Sequence, residues 1–129
     1  MNKILIEVSV GELLDKISIL EIKQEKIKDA ESLKFIEDEY KVLKSELDKN
    51  IKTDEKLKNL FNSLKEINSK LWVIEDDKRM CEKNKDFGEK FIKLSRNVHF
   101  LNDNRAKIKL EINNYTGSKI KEIKEYTSY

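Results

Sequence analysis

Between Asp86 and Tyr115, Phe87, Phe91, Leu94, Val98, Leu101, Ile108, Ile112 and Tyr115 recur at alternating steps of four and three, with Arg105 filling the one gap. That spacing puts them on a single stripe of one long helix. A second stripe precedes it: Leu57, Leu60, Leu64, Ile67, Leu71, Ile74 and Cys81, with Lys78 as its one charged member. Two rods this long, joined by a few residues around Lys85, must lie side by side to bury their stripes. The second stripe's helix spans about 45 Å at about 1.5 Å per residue.

Shorter elements precede the rods. Ser9-Val-Gly-Glu12 has the spacing of a capping box, which starts a helix near Val10 that runs to about Lys28. Leu13, Ile17 and Leu20 form one apolar line on it, and Ile19 and Ile22 a second. A face that wide meets two neighbours. Asp29 caps a second helix, Ala30 to Lys49, carrying Leu33, Ile36, Tyr40, Leu43 and Leu47. The polar run Asp48 to Asp54 breaks the pattern, and Thr53 or Asp54 caps helix 3. Asp86 with Glu89 gives a further capping pattern for helix 4, and Gly117 is its natural stop. Ile4, Ile6, Val8 and Val10 alternate with Leu5, Glu7 and Ser9, which suggests a short extended N-terminal segment. Residues 118–129 add a short helix or form a mobile tail. The expected fold is all-α, a single antiparallel bundle of about four helices over residues 1–129, built on the helix 3–helix 4 hairpin.

Composition agrees with long, solvated helices. Charged residues make up 40% of the 129, hydrophobic residues 38%, and proline is absent. Basic and acidic residues, 27 against 25, are interleaved and leave a net charge of +2, so no nucleic-acid partner is expected. No apolar run has the length of a membrane span. MNKILIEVSV is too short for a secretory signal and carries Glu7, so the expected location is the cytoplasm. The lone Cys81 sits on a helical stripe and reads as a buried, inert thiol.

Chemistry is scarce. One histidine and one cysteine cannot build a zinc site, and His99 has Arg96 three residues before it, which rules out the paired Glu-x-x-His of a di-iron bundle. Three scattered glycines form no phosphate loop. No metal and no cofactor is expected.

The arginines stand out. Of 27 basic residues only Arg79, Arg96 and Arg105 are arginine, all within one quarter of the chain. Either this clustering is chance, or a planar two-pronged donor is needed there. A turn at Lys85 sets Glu75 across from Arg96, Trp72 across from His99, and Asn68 across from Asp103, with Arg105 facing Glu66 or Ile67. A guanidinium in a core stripe must be paired, reach water or line a wet cavity. The structural readings are a Glu75–Arg96 ion pair, a snorkelling Lys78, a hydrogen-bonded His99 and a core Trp72. The functional reading is an anion site: Lys16, Arg79, Arg96 and Arg105 around a carboxylate or phosphate, oriented by Asp15, Glu75, Asn102 and Asp103.

The blocks GELLDKISILEIK, LWVIEDDKR, DFGEKFIKLSR and LNDNRAKIK together resemble a family of short, all-helical bacterial and phage proteins of unknown function, over roughly Val8 to Asn113. That resemblance implies no activity, but implies a setting near glycan synthesis and a shared role for Gly11, Glu12, Asp15, Lys16, Glu21, Lys23, Trp72, Glu75, Asp76, Arg79, Arg96, Asn102, Asp103 and Arg105. The opening helix is also loosely similar to that of the all-helical chorismate mutases, which hold a dianion with buried Arg and Lys. Leu13 and Leu14 stand where that family has an arginine.

Two functions follow as expectations. The first is a self-associating binding or assembly module without catalysis of its own, since the long hairpin outruns what helices 1 and 2 can cover. The second is an enzyme or binding protein for a small anionic metabolite, with the arginines as clamp and Glu75 or Asp15 as the acid/base group.

Overall fold

A computed structural model, described over residues 3–129, contains four helices: α1 (Val10–Lys26), α2 (Ala30–Asn50), α3 (Glu55–Lys83) and α4 (Glu89–Thr116). The fold is all-α, as the periodicity requires. Local chemistry sets the helix ends. Ser9, Asp29 and Asp54 each accept a hydrogen bond from the backbone N–H three residues on, opening α1, α2 and α3. Gly117, at φ 67°, closes α4 in the left-handed conformation that glycine adopts without strain.

The α3–α4 hairpin turns at Lys85, itself left-handed at φ 54°. α1 lies along one face of this hairpin, and α2 folds back on α1. α1 is therefore the hub: it packs against each of the other three helices, whereas α2 approaches α1 alone. The core is small and continuous. Leu14 and Ile17 of α1 meet Leu47 of α2, Leu57 and Leu64 of α3, and Ile112 of α4. Burying each such side chain contributes about 1.5–3 kcal/mol.

Two helix ends differ from the sequence reading by more than one residue. α1 stops at Lys26, not Lys28, because Ile27 is already extended and Asp29 is committed to capping α2. α4 starts at Glu89 with Gly88 as its N-cap, not Asp86. Asp86 spends its carboxylate on the N–H of Gly88, 3.2 Å away, which builds the turn and not the helix. Phe87 therefore leaves the stripe, is half exposed, and sits edge-on to Phe91. Ile4, Leu5, Ile6 and Val8 are exposed and belong to no strand. Beyond Gly117 the chain is not helical. It runs back along α4, with Glu122 reaching Lys109 and the Tyr129 hydroxyl meeting the Asp103 carboxylate.

Among the described residues, no helix is long and apolar enough to cross a membrane.

Candidate functional site

The polar residues that face inward do so where α1 crosses the hairpin. Two features of α1 create the contact. Gly11 carries no Cβ; one built there would stand 2.6 Å from the Lys109 carbonyl oxygen and 3.0 Å from Asn113 Oδ1. The helix can therefore approach the backbone of α4. Its first N–H groups, which have no partner inside the helix, are met from outside: Asn113 Oδ1 accepts from Gly11 N at 2.7 Å, and Ser118 Oγ accepts from Val10 N at 3.3 Å. Asn113 is buried and, among the described residues, its Nδ2 has no partner, a local cost of capping α1 from another helix.

One turn further along α1, Asp15 is 1% exposed. Its Oδ1 accepts from Asn68 Nδ2 at 2.8 Å and from Arg105 Nε at 2.9 Å, and its Oδ2 accepts from Arg105 Nη2. Asn68 Nδ2 also donates to Ser18 Oγ at 2.8 Å, and the Ser18 hydroxyl donates to the Asp15 carbonyl at 2.7 Å. Lys109, four residues after Arg105 and more deeply buried, reaches Glu12 at 2.7 Å, Glu122 at 2.9 Å and Asp15 at 3.9 Å. The result is a polar seam joining α1, α3, α4 and the tail.

The electrostatics of the seam are those of a satisfied network. Burial pushes the Asp15 carboxyl up, but hydrogen bonds from Arg105 and Asn68 and the charges of Arg105 and Lys109 outweigh it and hold it below the usual range. Burial pulls the Lys109 ammonium down, and Glu12, Glu122 and Asp15 together raise it. A hydrogen bond from Arg105 to Asp15 stabilises the guanidinium as a cation. Asp15 is thus an ionised anchor holding three donors, a state suited to fixing helices and not to moving protons.

Beside the seam lies a cleft of about 410 Å³, with Ile19 and Ile22 of α1, Leu71 and Trp72 of α3, and Arg105 of α4 in its walls. Asn68, Glu75, Asp76 and Arg79 complete it. Arg105 also borders a second groove of about 460 Å³, where Val98, His99, Asn102 and Asp103 face Lys124, Tyr126 and Tyr129 of the tail.

The eight residues singled out from the sequence are distributed over several places. Asp15 and Arg105 pair directly. Glu75, Arg79 and Arg105 share the cleft. Asn102 accepts from Arg105 Nη1 at 3.4 Å and, with Asp103, faces the tail. Lys16 is exposed on α1. Arg96 is exposed and lies over the Phe100 ring, 5.9 Å from its centre. It makes no ion pair with Glu75, because α4 turns it toward its own i+4 neighbour. His99 is exposed and packs on Phe100 and Tyr129, not on Trp72. Trp72 is half-buried in the cleft wall and not in the core. Lys78 sits 5.9 Å above the Phe91 ring, with its stem along the apolar stripe. Cys81 is buried, as its stripe position requires.

Four seam residues escaped the sequence reading: Ser18, Lys109, Asn113 and Glu122. A signal existed for two of them. Arg105, Lys109 and Asn113 follow one another at steps of four, a polar line beside the apolar stripe.

A family model described as a family of unknown function (DUF6165) matches residues 4–129. No curated protein and no solved structure matches the chain. The chain belongs to the DUF6165 family.

Proposed function

We propose that this member of the DUF6165 family is a helical assembly module whose partner is a second copy of the same chain. The observation that supports this is the back of the α3–α4 hairpin, which neither α1 nor α2 covers. α1 occupies one face. On the other, a groove of about 630 Å³ runs between Val73 and Ile74 of α3 and Phe100 and Leu101 of α4, and neither α1 nor α2 lines it. Val73 is 50% exposed and Phe100 37%.

The face is complementary to itself. Glu66, Lys70, Val73, Asp77 and Met80 follow at steps of four and three, so they share one line along α3. A two-fold axis between Val73 and Ile74, with the hairpins antiparallel, sets Lys70 of each copy opposite Asp77 of the other. The apolar centre meets its own image, and the flanking charges meet opposite charges. The tip and flanks from Val73 to Phe100 carry seven basic and six acidic residues, so no large repulsion opposes pairing. The apolar centre is small, which puts the dissociation constant on the order of 10 µM.

Sedimentation of the full chain tests the reading. The mass rises with concentration from the 15.3 kDa of one chain toward twice that value. Val73→Glu keeps its helical content and stays at one chain. A parent protein that remains one chain up to about 1 mM, well above that constant, overturns the reading.

A further inference from the structure

We propose that the cleft between α1 and α3 binds a small zwitterion, an α-amino acid with an apolar side chain. The site lies on the opposite side of the hairpin from the self-association face and stands independently of it.

The fold leaves three charges at this cleft unused. Glu75, Asp76 and Arg79 line the cleft, yet among the described residues none of them makes an ion pair within 4.0 Å. They sit within one helical turn of each other above an apolar wall that includes the half-buried ring of Trp72. A structural explanation by mutual pairing is therefore missing. Arg105 also faces the cleft, but Asp15 has already taken its Nε and Nη2 donors and balanced its charge. The rim then holds two carboxylates against one guanidinium with free charge. A bare carboxylate or phosphate ion entering here meets Arg79 together with the repulsion of Glu75 and Asp76. A bare amine gains the carboxylates but leaves Arg79 unanswered. A ligand carrying both groups on one carbon satisfies both: its carboxylate faces the Arg79 fork and the remaining N–H groups of Arg105, and its ammonium faces Glu75 and Asp76. Its side chain lies against Trp72. The volume, about 410 Å³, is at the small end of the range for ligand sites.

Trp72 is the chain's single tryptophan, so its emission reports on this cleft and on nothing else. Titration of the full chain with L-phenylalanine, phenylacetate, phenethylamine and inorganic phosphate, followed by tryptophan emission and by melting temperature, tests the proposal. L-Phenylalanine gives a saturable change and a raised melting temperature. Phenylacetate and phenethylamine each bind at least about tenfold more weakly, since each lacks one charge-assisted contact. Arg79→Gln and Glu75→Gln, both at exposed positions, keep the parent fold and each weaken L-phenylalanine about tenfold. The proposal is overturned if L-phenylalanine leaves emission unchanged at millimolar concentration. It is equally overturned if phenylacetate or phosphate matches L-phenylalanine while Glu75→Gln has no effect, which would make the cleft a plain anion site.

Discussion

Arg105 and Asp15, ninety positions apart in the chain, are joined side-on: the Nε and Nη2 of the guanidinium face the two oxygens of the carboxylate. This one pair fixes both the rotation of α1 and its level along α4. It also explains how an arginine can occupy a core stripe. The charge of Arg105 is answered within the fold, by a partner built into the opening helix.

Removing one member leaves the other stranded. Arg105→Leu leaves a 1%-exposed Asp15 with Lys109, 3.9 Å away, as its remaining charge partner and costs about 3 kcal/mol. The double variant Asp15→Leu/Arg105→Leu recovers most of that loss, because an apolar pair of similar volume replaces a desolvated ion pair. Urea unfolding of the two single variants and the double variant gives the coupling energy. An Arg105→Leu protein as stable as the parent would contradict the assignment.

Gly11 is required by proximity and not by its dihedral angles. Its missing Cβ leaves room for the Lys109 carbonyl, a backbone atom that cannot rotate aside. Gly11→Ala removes a glycine from the first turn of α1, where propensity alone would stabilise the helix by less than about 1 kcal/mol. The clash reverses the sign, and a net loss of about 2 kcal/mol is expected, with α1 displaced from α4. Thermal unfolding measures it, and loss of amide protection at Gly11 locates it.

Lys85 presents the opposite case. It holds a left-handed conformation at the hairpin apex, which costs a residue with a Cβ about 1 kcal/mol. Its side chain is exposed. Lys85→Gly removes that strain and raises stability by a fraction of 1 kcal/mol, after the added freedom of the unfolded chain is set against it. The change appears as a small rise in melting temperature.

Acid dependence follows from the seam. The Asp15 carboxyl is held below its ordinary value of 3.8 in the folded chain. Below that ordinary value the unfolded chain binds a proton that the folded chain refuses. Its stabilising contribution is complete above about pH 4 and is lost as pH falls through the folded value. In Asp15→Asn that contribution is absent, so stability falls less steeply below pH 4 than in the parent. Asp29 and Asp54 are also lowered but make no contact with Asp15, so their contributions cancel when the two slopes are compared. Identical slopes would contradict the ion pair.

Much of this architecture is legible in the sequence because periodicity is a local property. The stripes of α3 and α4 recur every seven residues, and a stripe that long has one regular solution. Their antiparallel pairing is legible too, since a short turn at Lys85 leaves little freedom; the facing pairs drawn from that turn are not, because Arg96 and His99 pack on Phe100 and not on Glu75 and Trp72. The α4 cap is misread because Asp86 and Gly88 both suit a helix start, and only the turn geometry decides between them. The partner of Arg105 is not legible, because it lies on another helix and its choice depends on how closely Gly11 lets α1 approach. Lys109 is hidden among 24 lysines that otherwise face solvent. Glu122 is hidden because the tail has no period to read.

Amide hydrogen exchange across a range of protein concentrations tests the assembly reading most directly, since it locates the contact as well as detecting it. The expected result is protection that rises with concentration in residues 66–80 and 93–101, with Val10–Lys26 and Ala30–Asn50 unchanged. Exchange that is the same at every concentration, or protection that rises first on α2, would contradict pairing through the back of the hairpin.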